Sequence, residues 1–387
     1  MKSKDNWILQ DDWSVLVTFL PCGWKEKAKE LGALRRCRRF ADAEPLLRTL
    51  LIHLADGCSL RETVVRAEEG QIATVSDVAL LKRLKAAGEW MRWMARGLMD
   101  CWSWKSPPAI LNNKLRIRLV DGSLVQEPGS TGSSWRIHYS IQLPSLQCDE
   151  VHVEGPKTGE SFKRFAVQKG DLLVADRGFA HRDGIAHVVS SGGDVLVRLS
   201  LTSLTLEGED GAPFPLLANL RGLSNIRIGD WDVWLRKGES VIAGRVCAIK
   251  KSRAAAERAR RHAYRDSNRK GHAIRPQTLE SAEYTFVFTT VDRGRLKAAD
   301  ILELYRGRWQ IEMVFKRLKS IIAIGHLKKT DLEAAKAWIH GKLLVVFLIE
   351  ALLAAAEKFS PWGYYIGMET QENQIFVEGD VLDASPC

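Results

Sequence analysis

The stretch Tyr305-Arg-Gly-Arg308-Trp-Gln-Ile-Glu312-Met-Val-Phe-Lys316-Arg-Leu-Lys319 organises the rest of the chain. Read as one helix at about 100° per residue, it gathers Tyr305, Arg308, Glu312, Lys316 and Lys319 within an arc of roughly 80°. Leu304, Ile311, Val314, Phe315 and Leu318 collect on the other side. One face is therefore suited to pack on a core. The other carries a single carboxylate among a phenol, a guanidinium and two ammonium groups. Such a stripe can be a solvated face laced with charge pairs. It also suits phosphate chemistry, because Arg forks and Lys ammonium groups hold phosphate oxygens and Glu can hold a divalent cation.

Two upstream stretches each run as a strand into an aspartate. Leu115-Arg-Ile-Arg-Leu-Val-Asp121-Gly alternates and then meets a turn signal. Asp171-Leu-Leu-Val-Ala-Asp176-Arg-Gly178 is continuously apolar before its aspartate, which predicts a strand buried on both faces in a mixed sheet. Two meander strands, Ser134 to Leu143 and Glu150 to Glu154, lie between them, followed by a short helix around Phe162 to Val167. A helix near Ile185 and a strand from Asp194 to Leu199 come next. Either aspartate alone reads most simply as a turn residue. Joined by Glu312 from a later helix, the two form an Asp-Asp-Glu set. Three such carboxylates repel one another. Hard oxygen donors suit Mg²⁺ or Mn²⁺, and two such ions can clamp both oxygens of an in-line phosphoryl displacement.

The spacing of Tyr305, Arg308, Glu312 and Lys319 resembles the Y-(2)-R-(3)-E-(6)-K signature of insertion-sequence transposases of the IS-four family. That resemblance implies a ribonuclease-H-like α/β domain with a mixed sheet. It assigns Asp121, Asp176 and Glu312 as catalytic, metal-holding carboxylates for two Mg²⁺ (or Mn²⁺) ions. It implies DNA contacts for Tyr305, Arg308 and Lys319, to which Lys316 and Arg177 are added by position. Excision and strand transfer at terminal inverted repeats, into a target DNA, is the implied reaction, with a homodimer for synapsis. Two alternatives stay open: a nuclease on the same fold that does not join strands, and a non-catalytic DNA-binding relic. Loss of a carboxylate would mark the relic, and all three are present.

The remaining chain divides around that core. Residues 1–105 read as a helical, DNA-binding N-terminal domain. Its basic residues cluster from Lys25 to Arg39 on a helix after Pro21-Cys-Gly23, and Ser59 and Ser76 sit at helix N-caps. The Ser59 and Ser76 helices are compatible with a helix-turn-helix and equally with a plain helical bundle. Residues 110–200 and 285–345 form the split catalytic domain. Residues 200–284 read as a β-rich insertion, a small antiparallel subdomain followed by a basic helical arm at Lys250 to Lys270. Trp231 and Trp234 are expected to share one strand face as packing residues. For an aromatic in this insertion the resemblance implies stacking on a flipped or unpaired base. Residues 346–387 complete a C-terminal helix and add a polar tail.

A chain of 387 residues can bury a large core, and a net charge of +10 with pI ≈ 9.2 points to a polyanionic partner. Seven scattered cysteines with no C-x-x-C speak against a disulfide framework or a zinc site. The N-terminus leads into no clean signal-peptide core, and the apolar run Leu343 to Ala356 is interrupted by Glu350. These features predict a cytoplasmic protein with no membrane partner, and the resemblance implies a bacterial one, nucleoid-associated when acting.

Overall fold

The computed structural model describes residues 13–35, 39–103, 115–126, 134–155, 158–224, 227–269, 271–321, 323–324, 327 and 331–356. The Arg36 to Arg38 part of the basic cluster and the tail from residue 357 lie outside them. The N-terminal part is helical and includes α1 (Trp24–Glu30), α2 (Ala43–Ala55), α3 (Leu60–Glu69), α4 (Asp77–Ala86) and α5 (Gly88–Ser103). The hydroxyls of Ser59 and Ser76 accept from Glu62 and Ala79 N–H at 3.1 and 3.3 Å, so both serines cap their helices as expected. The helix after Pro21-Cys-Gly23, α1, is shorter than its sequence suggested. Gly32, at φ 80°, turns the chain out of α1 before Arg35 is reached.

One sheet follows, in the order β3-β2-β1-β4-β5-β8-β7-β6. Its strands are β1 (Arg116–Gln126), β2 (Ser134–Gln142), β3 (Cys148–Glu154), β4 (Asp171–Ala175), β5 (Asp194–Arg198), β6 (Gly229–Lys237), β7 (Ser240–Lys250) and β8 (Tyr284–Thr289). The pairs β1–β4 and β4–β5 are parallel and the others antiparallel. This mixed α/β architecture is consistent with the ribonuclease-H-like expectation. The antiparallel strands read for residues 200–250 do form, but not as a separate subdomain. Strand β8 pairs with both β5 and β7, so β7 and β6 extend the central sheet. Unpaired strand edges are costly, and this arrangement covers the one that β5 would expose.

Helices cover both faces. α6 (Arg182–Ser190) packs on one face, in a cluster with Phe162, Phe165, Phe179 and Val120. On the other face lie α10 (Ala298–Gly307), α11 (Trp309–Ile321) and α12 (Leu332–Ala356). The small α7 (Leu216–Arg221), the basic α8 (Arg253–Arg269) and α9 (Pro276–Ser281) lie between β5 and β8 in sequence. α12 is long and apolar enough to cross a bilayer, but 72% of its apolar window is buried inside the fold. It packs along α5 and also touches α2, α4 and β3. One core therefore joins the N-terminal helices, through Leu50, Trp90 and Met94, to Leu119 and Tyr139 of the sheet.

At the entry to β1 and β4 a buried ion network sets the two strands side by side. Arg118, 2% exposed, pairs with Asp149 at 2.6 Å, Glu150 at 2.7 Å and Asp171 at 3.3 Å. Arg116 adds a fork on Asp171 at 2.6 and 2.7 Å.

Candidate active site

The strand register builds the site. Ile117 lies beside Leu172 and Leu119 beside Val174, so two residues further on Asp121 comes beside Asp176. Side chains alternate along a strand. Leu119 and Val174 face the α10–α12 side of the sheet and Val120 and Ala175 the α6 side, which directs both aspartates toward α11. Tyr139, directly across from Asp121, packs against Phe315 of α11 with ring centroids 5.8 Å apart.

Asp176 follows β4 as expected. Its carboxylate accepts from Gly178 N–H at 2.7 Å and caps the short 3-10 turn Arg177–Phe179. Asp121 differs from expectation, because β1 does not stop there. It runs on to Gln126, paired with β2 throughout. What ends near Asp121 is the pairing with β4, which turns away at Asp176. The Asp-Gly turn signal is overridden by the β2 ladder. Gly122 N–H donates to the Asp121 carboxylate at 2.7 Å. Burial pushes the Asp121 carboxyl up to about 7, and the negative charges of Asp176 and Glu160 add to this while Gly122 N–H and Arg308 oppose it.

The signature stretch is two helices, not one. The N–H of Arg308 bonds to Tyr305 C=O at 3.1 Å and that of Ile311 to Arg308 C=O at 3.2 Å. These i→i+3 bonds tighten the chain at Arg308 between α10 and α11. The phase between Tyr305 and the α11 residues shifts as a result. Tyr305 is 8% exposed, while Glu312, Lys316 and Lys319 stay exposed. The Arg308 guanidinium lies over the Tyr305 ring at 5.7 Å and donates to Glu312. The Tyr305 hydroxyl is buried with no well-formed hydrogen bond, and burial raises its pKa despite the nearby Arg308 and Arg198.

Two cavities flank this arrangement. The first, of about 580 Å³, is lined by Asp121, Glu312, Lys316 and Lys319. The second, of about 1150 Å³, runs past Asp176, Arg177, Arg198, Tyr305 and Arg308 to His262 on α8. Trp309, 55% exposed, lines both. Arg177, Lys316 and Lys319 are exposed cations with no ion pair among the described residues. Trp309, Arg198 and Glu160 were missed from sequence. Only Trp309 carried a signal, as a bulky aromatic directly after Arg308.

Trp231 and Trp234 do not join the site, nor do they share a face. They are three residues apart, which puts them on opposite sides of β6. Trp231 packs toward the core with Phe214, ring centroids 6.3 Å apart, and the Trp234 backbone bonds to Glu207 at 2.9 Å. Strand β6 is the sheet edge, four strand spacings from β4, on the order of 19 Å.

Among the described residues no three His, Cys, Asp or Glu side chains are gathered closely enough to hold a metal as they stand. The reason is local: Glu312 is turned to Arg308. The donor set nonetheless fits a divalent cation. All three donors are hard oxygens, and half-buried Asp121 sits among negative neighbours without a cation bonded to it.

Residues 155–348 match the family model described as the transposase DDE domain. The chain is also 31% identical over 359 residues to the InsL protein of insertion sequence element IS186A of Escherichia coli (strain K12), covering 91% of this chain and 96% of that one. The chain belongs to the DDE transposases. The transposase for IS421 of Escherichia coli is likewise 31% identical, over 360 residues, 91% of this chain and 96% of its own. The transposase for IS231B of Bacillus thuringiensis subsp. berliner is 23% identical over 384 residues, 87% of this chain and 78% of its own. The chain is thus an insertion-sequence transposase of the IS-four family, a DNA-cleaving and strand-transfer enzyme. DDE transposases generally use divalent metal ions. The family-model match begins after Asp121, but the alignments to the relatives cover nearly the whole chain.

Proposed function

We propose that this transposase binds the terminal inverted repeats of its own element and carries out excision and strand transfer at Asp121, Asp176 and Glu312. The observation that carries the proposal is the juxtaposition of Asp121 and Asp176 just beyond the last β1–β4 pair, facing a helix that bears Glu312, between two cation-lined cavities. Two Mg²⁺ or Mn²⁺ ions held by these carboxylates would activate the attacking oxygen and neutralise charge on the leaving one. Arg308, Lys316, Lys319 and Arg177 hold phosphates of the element's end, and Tyr305 supports Arg308 from beneath as a hydrogen-bond donor to the same backbone. A phosphate taking the Arg308 fork would free Glu312 from its ion pair to join the aspartates. The basic α8 arm forms the far wall of the larger cavity and adds sequence-independent grip. Any DNA contact by Trp231 or Trp234 belongs to the far sheet edge, away from the reacting phosphate. The N-terminal helices contribute end binding, and two copies bring two ends together for transfer into target DNA in the cytoplasm.

The test is cleavage and joining of labelled DNA carrying the inverted repeats that flank the gene, with Mg²⁺, for wild type and Asp176→Ala. Metal-dependent excision and joined products, both absent in the variant, are expected. Cutting without joining would identify a nuclease. Specific binding without chemistry in either Mg²⁺ or Mn²⁺ would identify a DNA-binding relic.

A further inference from the structure

A fourth carboxylate reaches the aspartate pair from the opposite face of the sheet. Glu160 lies in the segment between β3 and the 3-10 turn Phe162–Arg164, and its Oε1 accepts from Arg136 of β2 at 2.9 Å. Along β1, Gly122 faces the side opposite Asp121, and a Cβ there would meet Glu160 Cγ and Oε1 at 3.1 Å. A Cβ on Gly178 would overlap Glu160 Oε2 outright and stand 3.0 Å from Asp176 Oδ1. The Glu160 side chain thus occupies the fork between β1 and β4 where their pairing has ended. It can do so because the residue two after Asp176 is glycine, and the glycine after Asp121 spares it a second tight contact.

We propose that Glu160, anchored by Arg136, is a positioning residue of the active site that holds the fork between Asp121 and Asp176 and strengthens the pair's hold on a divalent cation. The inference rests on the carboxylate site proposed above. Two physical effects act together. The wedge keeps the backbones of Gly122 and Gly178 apart by the width of one carboxylate, which sets the separation of the two aspartates. Its charge, offset in part by Arg136, adds to the negative field of the aspartates, which a bound divalent cation would relieve. Arg136 makes the geometry rigid: it is four-fifths buried, and its other end is enclosed with Nε unpartnered, so the guanidinium is committed to Glu160. Groups supporting metal ligands in this way commonly change affinity by 10-fold or more when removed.

The experiment uses the full chain and reads free Mn²⁺ by electron paramagnetic resonance, with thermal unfolding of metal-free protein alongside. Wild type is first compared with Asp121→Asn. Tighter Mn²⁺ binding by wild type is expected, and equal binding by the two would overturn the carboxylate site and this inference with it. Given a wild-type site, Glu160→Gln keeps the wedge and loses the charge, and Mn²⁺ binding should weaken about tenfold or more with the melting temperature maintained. Gly178→Ala evicts the carboxylate and should weaken Mn²⁺ at least as much. Glu160→Asp, which retains the charge, should recover part of the affinity. Wild-type Mn²⁺ binding within twofold in both Glu160→Gln and Gly178→Ala would show that Glu160 is mere filling and overturn the proposal.

Discussion

Arg308 donates to Glu312 one helical turn further on, so the third carboxylate of the proposed site is held by a cation and not turned to Asp121 and Asp176. The same guanidinium is the fork that a DNA phosphate would occupy. Replacing Arg308 with Ala should therefore separate two affinities. Binding to a labelled element end should weaken, with the slope of log K against log salt smaller by about 0.9, the contribution of one phosphate contact. Mn²⁺ binding by the DNA-free protein should not weaken, because Glu312 is released. Fluorescence anisotropy across a salt series and Mn²⁺ resonance check the two arms.

Asp121 makes the metal-free protein sensitive to pH. Its folded-state pKa is raised to about 7 from an ordinary value of 3.8, chiefly by burial. The folded state then binds more protons than the unfolded state between those values, so stability falls as pH rises through that window. Metal-free wild type should melt several degrees lower at about pH 8 than at about pH 5, and Asp121→Asn should flatten that slope. Added Mn²⁺ should restore wild type and leave the variant unchanged. Differential scanning calorimetry in chelator and in Mn²⁺ checks both.

Arg118 should be among the costliest side chains to remove. Buried between Asp149, Glu150 and Asp171, it neutralises three largely buried carboxylates. Arg118→Met would leave Asp149 without its cation and would leave Asp171 to Arg116 and Glu150 to His152, and breaking a buried pair in this way costs about 3–5 kcal/mol. Urea denaturation should show a lower midpoint, and the β1–β4 register should loosen, with loss of activity following loss of fold.

Gly341 lies in the middle of α12, where helix propensity alone would favour Ala by about 1 kcal/mol. Packing decides the other way. A Cβ at Gly341 would stand 2.5 Å from Leu54 Cδ1 of α2 and 3.0 Å from Met91 Sδ of α5, both fully buried. Gly341→Val should destabilise by about 1–3 kcal/mol through overpacking. A lower melting temperature checks it, and an unchanged or raised one would refute the close crossing.

Arg258, Arg261 and Arg265 on α8 are exposed and form no ion pair among the described residues. Changing all three to Gln should lower the DNA salt slope by about 2–3 and leave the melting temperature unaltered. An unchanged slope would place the arm away from DNA.

Much of this enzyme was legible in one dimension. Alternation and apolar runs marked the catalytic strands, Ser59 and Ser76 marked helix starts, and the spacing from Tyr305 to Lys319 identified the family. Asp121, Asp176 and Glu312 stand out in the sequence itself as candidate carboxylates. These are local signals, carried by residues a few positions apart. What the tertiary structure decided depends on residues distant in sequence. The β2 ladder carries β1 through Asp-Gly, and β8 bonds to both β5 and β7, which draws the supposed insertion into the main sheet. A one-residue tightening at Arg308 buries Tyr305, and an odd spacing divides Trp231 from Trp234. Glu160 had no signal of its own, since the space it fills is left by Gly122 of β1 and Gly178 of the turn after β4, both distant from it in sequence. Periodicity specifies which faces are apolar; which partner covers each face is settled by the free energy of the whole packed chain.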